Sequence, residues 1–535
     1  MRFLRGYLLC ALFIILTACS KPALQPYKHR LRTCIHREPQ NLDPRMSGDT
    51  VSTPLHFLLF EGLTRFNSDW TISLSVADSV EISKDRKMYL FHLRNSRWSD
   101  GSPVTAQDFE HAWKKVLDPE FPSLNAHLFF SIKNAEAAKK GLVPLNEVGI
   151  KALDDCTLQV ELIRPTPYFL DLTSFAAFFP VPHKKDVQDP AWSRKTGENF
   201  VCNGPFHLSR WDRNLFIEFD RNPYYWDQGK IDLEKILFHI IVDGMTALHM
   251  YECNELDLIQ FSLSPLPPEP LRELLRKGQL HCFPSATSQI VVFNTQQFPF
   301  DNTKMRKAFG LAINRSAIVD NILQMGEIPA FSAIPPILKK GQEVQLLDKD
   351  SIEEAKTCFT QALQELGLEW WQFPPITFYY SSSDMNRRVA EAIQHQWKEV
   401  LSVDVSLQAL EHTTLLDRLT KRRFQVGQTI WMAQYNDQMN IFERFKFKGN
   451  LKNYSGWENE QFIQLLDRSS SEIGTPRIAT LLEAERIFLD EMPVSPLFHL
   501  NASFLKKPHV KNLDSPYSSD LCYARITYEE DPKKH

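Results

Sequence analysis

Residues 376–431 constrain the fold more than any other part of the chain. Ile376, Phe378 and Tyr380 alternate as in a strand, and Val389, Ile393, Trp397, Val400 and Leu401 then fall on one helical face. Val403, Val405 and Leu407 alternate again, residues 415–422 read as helix, and residues 424–431 read as a third strand. Strands joined through helices return in the same direction, so the pattern β-α-β-α-β predicts a parallel sheet with right-handed crossovers, and an α/β fold class. Ligands of open α/β sheets sit outside the carboxyl ends of the strands. Two loops fall there: Ser381-Ser382-Ser383-Asp384, and Met432-Ala433-Gln434-Tyr435-Asn436 after Trp431.

Other local signals agree with a mixed fold. Thr105-Ala106-Gln107-Asp108 resembles a capping box, and Phe109, Ala112, Trp113, Val116 and Leu117 recur at helical spacing until Asp118-Pro119 ends the run. No internal repeat or low-complexity block is present, and 535 residues favour several domains over one.

The N-terminus reads as an export signal. Arg2 and Arg5 precede an apolar run over residues 7–16, too short for the roughly 20 residues that a spanning helix needs. Leu16-Thr17-Ala18-Cys19 follows and resembles a bacterial lipobox, which implies cleavage before Cys19 and lipidation of that cysteine; acyl chains then supply the membrane anchor. Ser20 in place of Asp permits sorting to the outer membrane. The expected division is a signal peptide at 1–18 and a lipidated tether at 19–31, the latter carrying Pro22 and Pro26. The expected location is the bacterial cell envelope, on the periplasmic side.

Composition removes several function classes. Loss of Arg2 and Arg5 with the signal takes the net charge from -4 to -6, which predicts no nucleic-acid partner. Cys34, Cys156, Cys202, Cys253, Cys282, Cys358 and Cys522 remain after Cys10 and Cys19 are set aside. They are odd in number and without C-x-x-C spacing, so they read as buried free thiols rather than as a disulfide framework or a zinc site. There is no G-x-S-x-G, H-E-x-x-H, Walker A or G-x-G-x-x-G pattern, and the histidines are scattered singly. No cofactor, metal or catalytic group is therefore expected. An exported hydrolase needs a nucleophile or metal motif, an adhesin more often shows repeats, and a binding protein needs neither.

From about residue 32 to residue 510 the chain resembles the large extracytoplasmic solute-binding proteins of the oligopeptide, dipeptide and nickel ABC importers, nearest to the oligopeptide-binding members. The motifs, in order, are Leu42-Asp43-Pro44, Phe60-Glu61-Gly62-Leu63, Trp98-Ser99-Asp100-Gly101-Ser102-Pro103, Asn203-Gly204-Pro205-Phe206 and Arg221-Asn222-Pro223-Tyr224-Tyr225-Trp226. Met305-Arg306-Lys307-Ala308-Phe309, Ala312-Ile313-Asn314-Arg315 and Pro493-Val494-Ser495-Pro496-Leu497 complete the set. The resemblance implies a two-lobed periplasmic-binding-protein fold of the large class, with an extra small domain and a hinged ligand cleft. It places lobe I at 32–59 with 186–287 and 502–535, the small domain at 60–185 and lobe II at 288–501. A monomer that hands a peptide or peptide-like ligand to ABC permease subunits is implied, with no enzymatic turnover.

The resemblance also implies a site. Peptide-binding members set an Asp against the ligand's amine in a motif that stands here as Trp431-Met432-Ala433-Gln434-Tyr435-Asn436, so the Asp is replaced by Gln434. Basic residues that meet the ligand's carboxylate correspond to Gln297, Asn386 and Gln428. Gln434 reads either as a loop amide bonded to backbone or as a ligand contact, and Trp431 and Tyr435 read equally as cleft wall or core. A site rich in amides implies altered specificity, tolerating N-acylated, amidated or sugar-linked peptides, unless Asp437 or Asp384 takes over the amine. The alternatives are a modified or non-peptide ligand, such as a cell-wall peptide or a metal chelate, or an exported hydrolase.

Overall fold

The computed structural model describes residues 29–46, 48–67, 71–339, 345–348, 351–513 and 523–529. The export signal, Cys19, the tether and Cys522 lie outside the described residues. Among the described residues no helix is long and apolar enough to cross a membrane.

Three sheets organise the chain. The strand Arg30–Ile35 pairs in parallel with Lys235–Ile240, which continues antiparallel into Phe216–Arg221 and Phe206–Asp212. A second four-stranded sheet is antiparallel throughout: Ala77–Ile82, Met88–Leu93, Thr157–Glu161 and Ile150–Ala152. Its strand Met88–Leu93 alternates half-buried and buried residues, as a sheet with one covered face requires. The helix Ala106–Leu117 lies against this sheet and buries Phe109, Ala112, Trp113, Val116 and Leu117. The Thr105 backbone N–H donates to the Asp108 carboxylate at 2.8 Å, the returning arm of the expected capping box.

The third sheet has seven strands and carries the expected parallel unit. Ile376–Ser381 pairs in parallel with Val405–Leu410 on one side and with Val426–Met432 on the other. The helix Asp384–Leu401 buries Val389, Ile393, Trp397 and Leu401. The next helix is His412–Thr420, earlier than the expected 415–422, because the Glu411 carboxylate accepts from the Thr413 and Thr414 N–H groups at 2.8 and 3.1 Å. Val403, expected in the strand, precedes it.

Two strands of thirteen residues each, His281–Phe293 and Val494–Lys506, run antiparallel through this sheet. Their register breaks between Pro284, opposite Asn501, and Ser288, opposite His499. Proline has no N–H to give the ladder, so an interruption beside Pro284 is its expected place. A small core cluster of Cys34, Ala247, Leu256, Ile259, Leu274 and Leu505 packs near one end of these strands, separate from the main core. Of the cysteines, Cys34, Cys202 and Cys358 are buried and free; Cys156 and Cys253 are exposed and Cys282 half-buried, so burial holds for only part of the set. Cys156 sits in a tight turn, its N–H donating to Asp154.

Candidate functional site

The parallel strands Ile376–Ser381 and Val426–Met432 end at one edge of the sheet, and both expected loops lie there. At the first, the Ser383 hydroxyl accepts from the Asn386 N–H at 3.2 Å and so starts the helix Asp384–Leu401. Asn386 Oδ1 in turn accepts from Gln428 Nε2 at 3.4 Å. Gln428 is buried in its strand, and among the described residues its Oε1 has no hydrogen-bond partner. The structure therefore brings Asn386 and Gln428 together.

Gln297 is not brought to them. The strand His281–Phe293 is antiparallel to Val426–Met432, with Phe293 opposite Val426 and Thr287 opposite Met432. The turn after Phe293 consequently lies at the opposite end of the sheet from Gln434. Gln297 is exposed there, its Oε1 accepting from Asn294 at 3.4 Å.

The second loop makes the densest polar contacts. Gln434 Nε2 donates to Asn125 Oδ1 at 2.9 Å, a contact between residues 309 apart in sequence, and Gln434 also bonds His127. Gln434 is thus not a loop amide that bonds only backbone. Tyr435 is buried and stacks on Tyr168, the ring centroids 4.8 Å apart and the planes within 11°. Both tyrosine hydroxyls donate to Glu443, whose carboxyl is pushed up by burial. Asn436 is buried beside it. Trp431 is buried and packs against Phe445 and Phe488. Met432 contributes its carbonyl, which accepts from Arg444 Nη2 at 2.8 Å.

The acids weighed as substitutes for the missing Asp are engaged elsewhere. Asp437 holds Arg477 through two contacts of 2.7 Å, and Asp384 holds Arg387 and Arg388 at 2.6 and 2.9 Å.

Sequence reasoning missed Asn125, His127, Tyr168, Arg444 and Lys452. Lys452 Nζ lies 3.4 Å from His127 Nε2. Burial and the neighbouring Arg444 guanidinium bring the Lys452 ammonium down to about 8. His127 is lowered to about 3 by burial and by the Lys452 and Arg444 charges, so at neutral pH its ring is uncharged and accepts from the ammonium. Asn125, His127 and Tyr168 lie far away in sequence and carry no local signal.

A two-lobed α/β molecule whose polar contacts gather where distant segments meet at the carboxyl ends of parallel strands has the architecture of a solute-binding protein. The family described as bacterial extracellular solute-binding proteins, family 5 (middle) matches residues 71–453, and the chain belongs to that family. It is 38% identical over 507 residues to the oligopeptide-binding protein OppA of Bacillus subtilis, covering 94% of this chain and 93% of that one. Among solved structures it is similar to the Escherichia coli murein tripeptide binding protein MppA, with a TM-score of 0.79, 28% identity, and coverage of 94% and 99%. Haemophilus influenzae OppA in complex with RPPGFSPFR gives a TM-score of 0.77 at 26% identity, again covering 94% and 99%.

Proposed function

We propose that the protein is the lipid-anchored, substrate-binding component of an ABC-type peptide importer, capturing peptides or peptide-like ligands between two lobes and delivering them to the permease. The observation that carries this reading is the set of contacts between residues 125–168 and the loop after Val426–Met432: Asn125 and His127 on Gln434, and Tyr168 on Tyr435 and Glu443. In the expected division these contacts join the small domain to lobe II, so a ligand held on both sides of that seam favours the arrangement in which they meet. The relatives named for oligopeptides and a murein tripeptide support the ligand class. The long strands with a broken register between Pro284 and Ser288 are suited to serve as the hinge, with lobe I at 32–59, 186–287 and 502–535, the small domain at 60–185 and lobe II at 288–501. Gln434, Tyr435, Asn436, Asn386 and Gln428 belong to the cleft in this reading. Cys19 carries the anchor, and the protein acts as a monomer without turnover.

The test is a thermal-shift screen with a peptide library, joined to mass analysis of whatever co-purifies. A ligand at 100 times its Kd stabilises by about 2.7 kcal/mol. A melting temperature that no peptide moves, or steady consumption of a peptide, overturns the reading, the latter in favour of an exported hydrolase. For the anchor, Cys19→Ala protein that still labels with palmitate and partitions fully into detergent removes the lipid assignment.

A further inference from the structure

Two cations stand side by side at the loop that carries Gln434. Arg444 is held by neutral oxygens: its Nη2 donates to the Met432 carbonyl at 2.8 Å and to Asn440 Oδ1 at 3.1 Å, and its Nε to the Asn440 carbonyl at 3.1 Å. Lys452 donates to a neutral imidazole, His127. Among the described residues neither has a carboxylate within salt-bridge distance, although acids are close by in sequence. Each of those acids has another partner: Asp437 holds Arg477, Glu443 accepts from Tyr168 and Tyr435, and Asp467 holds Lys446 and Arg164.

A guanidinium without a carboxylate is not by itself a site. Arg315 is fully enclosed and satisfied by the Pro496, Ile313 and Gly310 carbonyls and the Ser495 hydroxyl, which makes it a structural brace. Arg444 and Lys452 differ in two ways. The Arg444 charge lowers the Lys452 ammonium, and both are half-buried, Arg444 on the Met432 carbonyl two residues before Gln434 and Lys452 on His127. Two adjacent like charges in partly desolvated surroundings raise the free energy of the folded protein, and an anion placed between them lowers it. With Nε and Nη2 of Arg444 taken by Met432 and Asn440, its Nη1 and the Lys452 ammonium are left to donate to the two oxygens of a carboxylate.

We propose that Arg444 and Lys452, with His127 opposite and Gln434 beside them, form a subsite for a carboxylate borne by the end of the ligand that meets Gln434. The proposal rests on the peptide-binding reading and deepens it. Where the family's peptide binders put an acid against an amine, this chain offers cations to an acid. The carboxylate has two possible sources: an acidic first side chain, or an acyl group that blocks the amine and ends in a carboxylate.

Calorimetry with five tripeptides tests this: Ala-Ala-Ala free, N-acetylated and N-succinylated, and Glu-Ala-Ala beside Gln-Ala-Ala. The expected result is at least tenfold tighter binding of the succinylated than of the acetylated form. A preference for Glu-Ala-Ala over Gln-Ala-Ala without a succinyl preference assigns the carboxylate to the side chain. Arg444→Met and Lys452→Met each reduce the preference at least threefold, and Arg444→Lys, which keeps the charge, restores part of it. Melting curves confirm that each variant is folded. Equal binding of the succinylated and acetylated forms, together with equal binding of the Glu and Gln forms, overturns the anion subsite and leaves the peptide reading standing. Binding of no member of the panel by folded protein overturns both.

Discussion

Arg45 and Arg444 are both guanidinium groups set among aromatic and polar neighbours, and the protein treats them in opposite ways. Arg45, almost fully buried, is gripped by two carboxylates: Asp43 at 2.9 and 2.7 Å, and Asp186 at 2.7 Å through both terminal nitrogens. Asp186 is fixed further by His111 at 2.7 Å and the Trp192 indole at 2.8 Å. Arg444, among the described residues, is hydrogen-bonded to neutral oxygens, and its charge lowers a second cation, Lys452. In the scaffold the charge is closed off by its own chain. At the loop after Val426–Met432 it is left for something the chain does not supply.

The comparison breaks most visibly when the closed network is opened. Asp186→Asn leaves Arg45 with Asp43 as its carboxylate partner but weakens the charged hydrogen bonds from Arg45, His111 and Trp192, and hydrogen bonds to charged groups contribute about 1.5–3 kcal/mol. Urea unfolding should show a loss in that range, and a loss below about 1 kcal/mol would mean that the Arg45 network contributes nothing special.

A second closed network gives a pH signature. Burial by itself would raise the Asp257 carboxyl, but hydrogen bonds from His509 and Arg32 outweigh it and hold the group at about 2. A carboxyl whose folded value lies below its unfolded one stabilises above the unfolded value, about 3.8, and loses that contribution as pH falls toward the folded value. The window is therefore about pH 4 down to pH 2, and the amount about 2 kcal/mol. Asp257→Asn should be less stable than the natural protein at pH 6, with the gap closing across that window.

At the open cluster the expected effects are smaller and concern binding. Gln434→Asp places a carboxylate beside His127, Lys452 and Arg444, where it competes with a ligand carboxylate, so the preference for a succinylated over an acetylated peptide should fall up to about tenfold, or about 1.4 kcal/mol. No change in that preference would separate Gln434 from the ligand end. Arg444→Met should move the unfolding free energy by less than about 1 kcal/mol, because the lost hydrogen bonds are offset by relief of a desolvated charge. A loss comparable to that of Asp186→Asn would make Arg444 a brace, like Arg45.

These differences track what a sequence can carry. The parallel unit of residues 376–431 was legible because strand and helix periods are local, and its direction follows from the crossover connections. Gln434 was legible because it stands at a strand's carboxyl end within a recognisable motif. Gln297 was assigned to the same site and lies at the other end of the sheet, since a local match does not reveal that the strand before it runs antiparallel. The contacts of Asn125, His127 and Tyr168 bridge hundreds of residues, and only the packing of the folded chain puts them against Gln434 and Tyr435. Glu411 starts its helix although Ser, Thr, Asp and Asn are the commoner caps, so the residue type gives no local sign of the earlier start.

The thiols described with the fold act as two clocks. Cys34 belongs to the small core cluster and Cys202 to the main one, and burial pushes them up to about 11 and about 12. A thiol so protected reacts with an alkylating agent only when its surroundings open, since the thiolate is the nucleophile and needs water around it. The rate at which each is labelled thus measures the lifetime of its own core, and the ratio of the two tells which part of the molecule lets go first.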